Sequence, residues 1–204
     1  MPVGGEELQQ KAVHAAVFLD RDGVINEDPV EFVTRPEELR LLPSSAQAIA
    51  RLNAMGVPVL VCSNQSGVAK GLYTLDTLAR ISERLQEMLR AYGAHIDAFY
   101  YCPHDDADQC DCRKPKPGLL LRAAEEHGVA LERSVFVGDS WRDIVAGRAA
   151  GVKTVLVLSG HVKPEMLQGE EMRNHPPDHV APDLYEAAEW IIRLLNGTQE
   201  QCPT

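Results

Sequence analysis

Two carboxylates stand two residues apart in Asp20-Arg21-Asp22-Gly23-Val24, directly after the apolar run Ala15 to Leu19. Acids this close repel each other unless a cation bridges them. Three more clusters of polar side chains follow apolar runs in the same way. Ser63-Asn64-Gln65-Ser66-Gly67 follows Val57 to Cys62, and its hydroxyl and amides can donate to phosphate oxygens. The basic pair Arg113-Lys114 comes after Ala98 to Tyr101, and Gly138-Asp139-Ser140-Trp141-Arg142-Asp143 comes after Ser134 to Val137. Each cluster alone has a plain explanation. Asp139 and Asp143 suit helix caps, Ser63-Asn64 suits a turn, and Lys114 suits a solvated surface. Together they offer two acids, a hydroxyl, a lysine and a further acid pair.

A second constellation lies between the third run and Arg113. Cys102-Pro103-His104 and Cys110-Asp111-Cys112 supply three thiols and an imidazole, the ligand set of a closed tetrahedral zinc site. Four protein ligands leave no open position, so this zinc is expected to be structural and to stiffen the loop that delivers Arg113 and Lys114. Cys62 and Cys202 stand apart, and His14, His95, His127, His161, His175 and His179 have no comparable partners and read as surface or packing residues.

Groups so far apart in sequence meet only if the elements carrying them are adjacent. The runs named above, with Thr154 to Leu158, read as buried strands of a parallel sheet, whose ligand sites form beyond the carboxyl ends of the strands. Leu75, Leu78, Ile81, Leu85, Met88, Leu89 and Tyr92 recur at spacings of three and four before Gly93 and predict an amphipathic helix. Further helices are predicted over Ser45 to Met55, Gly118 to His127, Trp141 to Ala150 and Leu184 to Leu195, with Gly56, Gly128 and Gly151 just after three of them. Gly160 to Asp183 shows no clear period and is read as a surface excursion.

The 204-residue length suits one α/β domain, and 45% apolar with 25% charged residues is ordinary for a soluble globule. A net charge of -10 and a pI near 5.1 oppose nucleic-acid binding. The basic cluster Arg113, Lys114 and Lys116 is therefore informative in so acidic a chain. No stretch is long enough to cross a bilayer, and Met1 to Lys11 lacks the apolar core of a signal peptide, so a cytoplasmic location without membrane partners is expected; a monomer is a separate expectation. Neither a G-x-x-x-x-G-K nor a G-x-G-x-x-G loop is found, which removes support for a nucleotide cofactor.

In this order and after these strands, the four clusters resemble those of the haloacid dehalogenase superfamily of phosphohydrolases, over most of the chain. The resemblance implies a three-layer Rossmann-like parallel sheet with helices on both faces, a zinc-binding loop at 102–112 and no large cap domain. A single domain over 1–204, with its core at about 12–196, is expected. It also implies a magnesium-dependent phosphatase working through an aspartyl phosphate. Asp20 would be the nucleophile. Asp22 would protonate the leaving oxygen and then activate water, which requires it to be partly protonated when substrate binds. Magnesium would be held by Asp20, Asp139 and the backbone carbonyl of Asp22, while Ser63 and Lys114 hold phosphoryl oxygens and Asp143 orients the metal shell or Lys114.

Within the superfamily, a zinc loop here is similar to the heptose bisphosphate phosphatases and the histidinol-phosphate phosphatases. The tracts Ser63 to Gly71 and Cys110 to Gly118, with Ser66, Pro117 and Gly118, look like the first group. That likeness implies a sugar bisphosphate substrate in nucleotide-activated heptose synthesis for lipopolysaccharide or other surface glycans. Arg113 would recognise the phosphate that stays, and Asn64 and Asp28 the sugar. Gln65 and Ser140 belong to the same expected binding set, with Lys70 a lesser member. Ser140 departs from relatives that carry lysine there, and the short span from His104 to Cys110 is closer to the histidinol group. The non-enzymatic alternative is a phospho-acceptor module, in which the acceptor acid follows a middle strand and no zinc loop is expected.

Overall fold

Val17–Leu19 (β1) is apolar at every position and wholly buried, as a strand with helices over both faces must be. In the computed structural model, which describes residues 14–28, 32–160 and 169–199, it lies inside a six-stranded sheet. The other strands are Val59–Asn64 (β2), Ala98–Cys102 (β3), Val135–Gly138 (β4), Lys153–Val157 (β5) and His179–Ala181 (β6). All adjacent pairs are parallel, in the order β3-β2-β1-β4-β5-β6.

Alternation along the strands divides the core between the two faces. Val17, Leu19, Val59, Val61, Val135 and Val137 pack under Ser45–Ala54 (α1), Leu75–Arg90 (α2) and Leu184–Gln199 (α6). Phe18, Leu60, Cys62 and Phe136 face the other way, toward Gly118–His127 (α3) and Trp141–Ala150 (α4). The three-layer expectation is met, and among the described residues no cap domain is inserted. Both α3 and α4 end on left-handed glycines, Gly128 (φ 64°) and Gly151 (φ 84°), the stops read from the sequence.

Helix α2 buries Leu78, Ile81, Leu85 and Leu89. Leu75 and Tyr92, the ends of the predicted stripe, point outward instead, and Tyr92 lies beyond the last helical turn. Gly160 to Asp183 is more regular than expected. It contains the short helix Glu170–Asn174 (α5), which buries Met172 against Ile144 and Leu156, and the edge strand β6. Residues 161–168 of that segment, with His161, Cys202 and the start Met1 to Lys11, lie outside the described residues. Among the described residues no helix is long and apolar enough to cross a membrane.

Candidate active site

The register of the sheet assembles the site. Leu19 pairs with Val61 on one side and Val137 on the other, which sets Asp20 level with Cys62 and Gly138. The Asp20 amide donates to the Val137 carbonyl at 2.9 Å, and Ser63 and Asp139 emerge one residue further along. Because β2 and β4 flank β1, their connections diverge at this point and leave a crevice above its carboxyl end. The cavity there measures about 270 Å³ and is lined by Asp20, Asp22, Asp28, Ser63, Asn64, Arg113, Lys114, Asp139, Ser140 and Asp143, with Phe32, Ser66 and Arg142. A wider cleft of about 860 Å³, between Thr34 to Glu37 and Val68 to Arg80, holds none of these carboxylates.

Oxygens of Asp20, Asp139 and Asp143 lie within 4.8 Å of one another. Burial pushes the Asp20 carboxyl up to about 6, with Asp143 adding to the push while Lys114 and the Ser63 hydroxyl resist it. Burial, then repulsion from Asp143 and Asp20, pushes Asp139 up to about 8. A Cβ at Gly23 (φ +77°) or at Gly160 would collide with the Asp139 carboxylate, so these glycines form a slot that keeps the acid close to its neighbours. One ammonium among three crowded carboxylates leaves an excess of buried negative charge. A hard divalent cation with oxygen ligands, such as magnesium, fits that donor set.

The ammonium belongs to Lys114, which is 2% exposed. Its Nζ lies 3.0 Å from Asp20 Oδ1 and 2.5 Å from Asp143 Oδ1, and donates to the Cys62 carbonyl at 3.0 Å. Burial opposes its charge, but Asp143 and Asp20 outweigh burial and raise its pKa. Asn64 fixes the lysine from below, its amide accepting from the Lys114 N–H and donating to the Lys114 carbonyl, both at 3.0 Å. Asp143 fills both roles open to it. Its Oδ2 accepts from the Ser140 amide at 3.0 Å, capping α4, and its other oxygen meets Lys114. The Ser140 hydroxyl also donates to Asp143, at 2.5 Å.

The Asp22 carboxylate lines the same cavity but lies outside the metal-sized cluster. It accepts from Arg21 Nε and Nη2 (2.8–3.0 Å), from Asn26 Nδ2 at 2.8 Å and from Gln65 Nε2 at 2.8 Å. Arg21 is 1% exposed, and its guanidinium lies over the Tyr101 ring. Gln65 does not line the cavity. It is buried, and its side chain joins Ser63, Asp22 and the Tyr73 hydroxyl, which donates to Gln65 Oε1 at 2.7 Å. Every hydrogen bond to Asp22 comes from a donor, an arrangement that orients the carboxylate as an acceptor.

At the rim, Arg113 Nε donates to Asp106 Oδ1 at 2.7 Å and Nη1 to the His104 carbonyl at 3.1 Å. Lys70 lies over the Phe32 ring, 5.0 Å from its centroid. Beneath Arg113, the donor atoms of Cys102, His104, Cys110 and Cys112 also lie within 4.8 Å of one another. Sulfur–sulfur separations are 3.1, 3.3 and 3.6 Å, and His104 Nδ1 lies 3.3 Å from Cys112 and 3.7 Å from Cys102. These distances exclude disulfides, whose length is about 2.05 Å, and approach the edge of roughly 3.8 Å expected for thiolates around tetrahedral zinc. The four residues therefore fit the metal inferred from their spacing. Three features escaped the sequence reading: the Arg21 clamp on Asp22, the Tyr73–Gln65 link and the cavity-lining Arg142. For Arg142 the signal was its place in the Asp139 to Asp143 cluster.

Comparison with known proteins places these groups in a recognisable context. The HAD-hydrolase-like family model matches residues 111–187, the stretch that carries Lys114, Asp139 and Asp143. A D-glycero-D-manno-heptose-1,7-bisphosphate 7-phosphatase of Thermosynechococcus vestitus is 43% identical over 191 residues, which covers 88% of this chain and 96% of the relative. A D-glycero-beta-D-manno-heptose-1,7-bisphosphate 7-phosphatase of Pseudomonas aeruginosa is 46% identical over 144 residues, 71% of this chain and 81% of the relative. Among solved structures, D,D-heptose 1,7-bisphosphate phosphatase from B. bronchiseptica, complexed with magnesium and phosphate, has a TM-score of 0.81 and 39% identity, with coverage of 88% and 98%.

Proposed function

The chain belongs to the haloacid dehalogenase-like hydrolase family, and from that membership we propose that it removes the 7-phosphate of D-glycero-D-manno-heptose 1,7-bisphosphate through an aspartyl phosphate. It is a phosphoric monoester hydrolase of small sugar phosphates. The observation that carries the reading is the crowding of Asp20, Asp139 and Asp143 around one buried lysine, which suits a dianionic phosphate only when a divalent cation joins it.

In this reading Asp20, at the bottom of the cavity, attacks phosphorus in line. The Asp20–phosphorus bond forms as the phosphorus–oxygen bond to the sugar breaks. Asp20 and Asp139, with the backbone carbonyl of Asp22, would hold magnesium, which would supply charge neutralisation to nucleophile and phosphoryl group. Lys114 and Ser63 orient the phosphoryl oxygens, and Asp143 and Asn64 hold Lys114 in place to do so. Asp22 gives a proton to the leaving oxygen and later takes one from the water that opens the aspartyl phosphate. For the first step one of its oxygens must carry a proton in place of a hydrogen bond from Arg21, Asn26 or Gln65. The Cys102, His104, Cys110 and Cys112 cluster binds zinc and fixes the base of the loop bearing Arg113 and Lys114.

The test is phosphate release with magnesium from each anomer of heptose 1,7-bisphosphate and from histidinol phosphate, with wild type beside Asp20→Asn. Fast release from one heptose anomer, lost in the variant, is expected. Preference for histidinol phosphate would overturn the substrate assignment and leave the chemistry, whereas no release from any phosphate ester would overturn the phosphatase itself.

A further inference from the structure

Arg142 sits where local physics disfavours it. It is the second residue of α4, and a cation at a helix N-terminus faces the positive end of the helix dipole. Its guanidinium lies over the Trp141 ring, 5.1 Å from the centroid, and its side chain is 42% exposed. It lines the same cavity as Arg113 and Lys114. Among the described residues the carboxylate nearest to it in an ion pair is Asp106, with Nη2 3.9 Å from Oδ2, while the other oxygen of Asp106 takes the 2.7 Å hydrogen bond from Arg113. One exposed carboxylate thus spans two guanidinium groups at the mouth of the cavity. The hydrogen bond from Arg113, with the fields of Arg113, Arg142 and Lys70, holds its pKa below the ordinary carboxylate range.

We propose that Arg142 and Arg113 together form the subsite for the phosphate that is not hydrolysed, and that Asp106 occupies this subsite as an internal placeholder until a substrate phosphate displaces it. The inference rests on the bisphosphate reading above and adds two residues to it. Ser140 makes the assignment coherent. Its hydroxyl is committed to Asp143, so it brings no charge to the cavity, and the nearest cation on the same turn is Arg142. A phosphate monoester carries about two negative charges and three acceptor oxygens, against one charge and two oxygens on Asp106. It can therefore take over both guanidinium groups with bidentate contacts that Asp106 makes to neither. Only a ligand that carries the distal phosphate has to displace Asp106, so the placeholder weakens bisphosphate binding and leaves a ligand without that phosphate unaffected.

The test is the ratio of kcat/KM for heptose 1,7-bisphosphate to that for heptose 7-phosphate, which share the reacting phosphate and differ in the distal one. Arg142→Gln is expected to lower this ratio about tenfold, the scale of one charge-assisted contact at a partly exposed site, chiefly through KM for the bisphosphate. Arg142→Lys, which keeps the charge but not the fork, should recover part of the loss. Asp106→Asn is expected to move the ratio the opposite way, upward, because the placeholder is gone. If Asp106 were only a tie holding the loop, its removal would weaken bisphosphate binding as the loss of Arg142 does, and that result overturns the inference. An unchanged ratio in Arg142→Gln overturns it as well. A wild-type enzyme indifferent to the distal phosphate would be a different failure, that of the bisphosphate reading itself.

Discussion

Asp139→Asn should abolish magnesium-supported turnover and yet make the metal-free protein more stable. Asp139 is buried, its pKa is raised from 3.8 to about 8, and among the described residues no hydrogen-bond donor reaches its carboxylate. Between those two values the native state binds more protons than the unfolded chain, so Asp139 makes stability fall as pH rises from about 4 to about 8. Converted at about 1.4 kcal/mol per unit, the cost reaches on the order of 5 kcal/mol by pH 8 and about a third of that at pH 5. Asp20 and Asp143 share the repulsion, and an asparagine amide still has to be solvated in the slot. The expected gain is therefore about 2 kcal/mol at pH 8 and under about 1 kcal/mol at pH 5. The assay is urea unfolding in EDTA at both values, repeated with excess magnesium. The metal should then stabilise wild type and leave the variant unmoved. A variant less stable than wild type at pH 8 in EDTA, or a gap that does not grow with pH, would refute the electrostatic account of the cluster.

Two further substitutions probe the same framework. Lys114→Met removes the ammonium that, among the described residues, alone pairs with Asp20 and Asp143, and should cost about 3–5 kcal/mol in metal-free unfolding because it leaves buried charges unpaired; magnesium should recover part of that loss. A destabilisation under about 1 kcal/mol would mean that the lysine does not offset the repulsion between the carboxylates. Cys112→Ser should lower the zinc content measured by atomic emission from one per chain toward zero, and raise KM while the sheet stays folded by circular dichroism. Full zinc retention would sink the four-ligand assignment.

β1, β2 and β4 were legible because each is a short apolar run buried on both faces, with a polar cluster at its end; β3 was legible from its apolar run, although it lies at the sheet edge with Ala98, Phe99 and Tyr101 only half-buried. β6 was not, since His179–Ala181 is only three residues long and buries only Ala181 fully. For the site residues the limit was sequence distance. Asn64 offers its amide to a peptide 50 residues away, and Gln65 reaches an acid 43 residues away. Residue type alone reads both as amides that can donate to a phosphate, and says nothing of the partners they meet within the chain. Arg21 reads as a spacer between two acids until its burial and its clamp on Asp22 are seen. Asp143 reads as a helix cap by itself and as a site residue by resemblance, and its one side chain performs both tasks.

The place of β1 in the sheet bears on how the chain acquires its fold during synthesis. β1 precedes every other described strand, yet it is flanked by β2 and β4, and β4 lies more than a hundred residues downstream. Until Val135–Gly138 has left the ribosome, Val17, Phe18 and Leu19 present an unpaired parallel edge to the cell. An apolar edge left open for most of translation is a target for chaperones and for strand exchange with a neighbouring nascent chain. Truncations that stop before residue 135 should therefore aggregate rather than accumulate as partly active fragments.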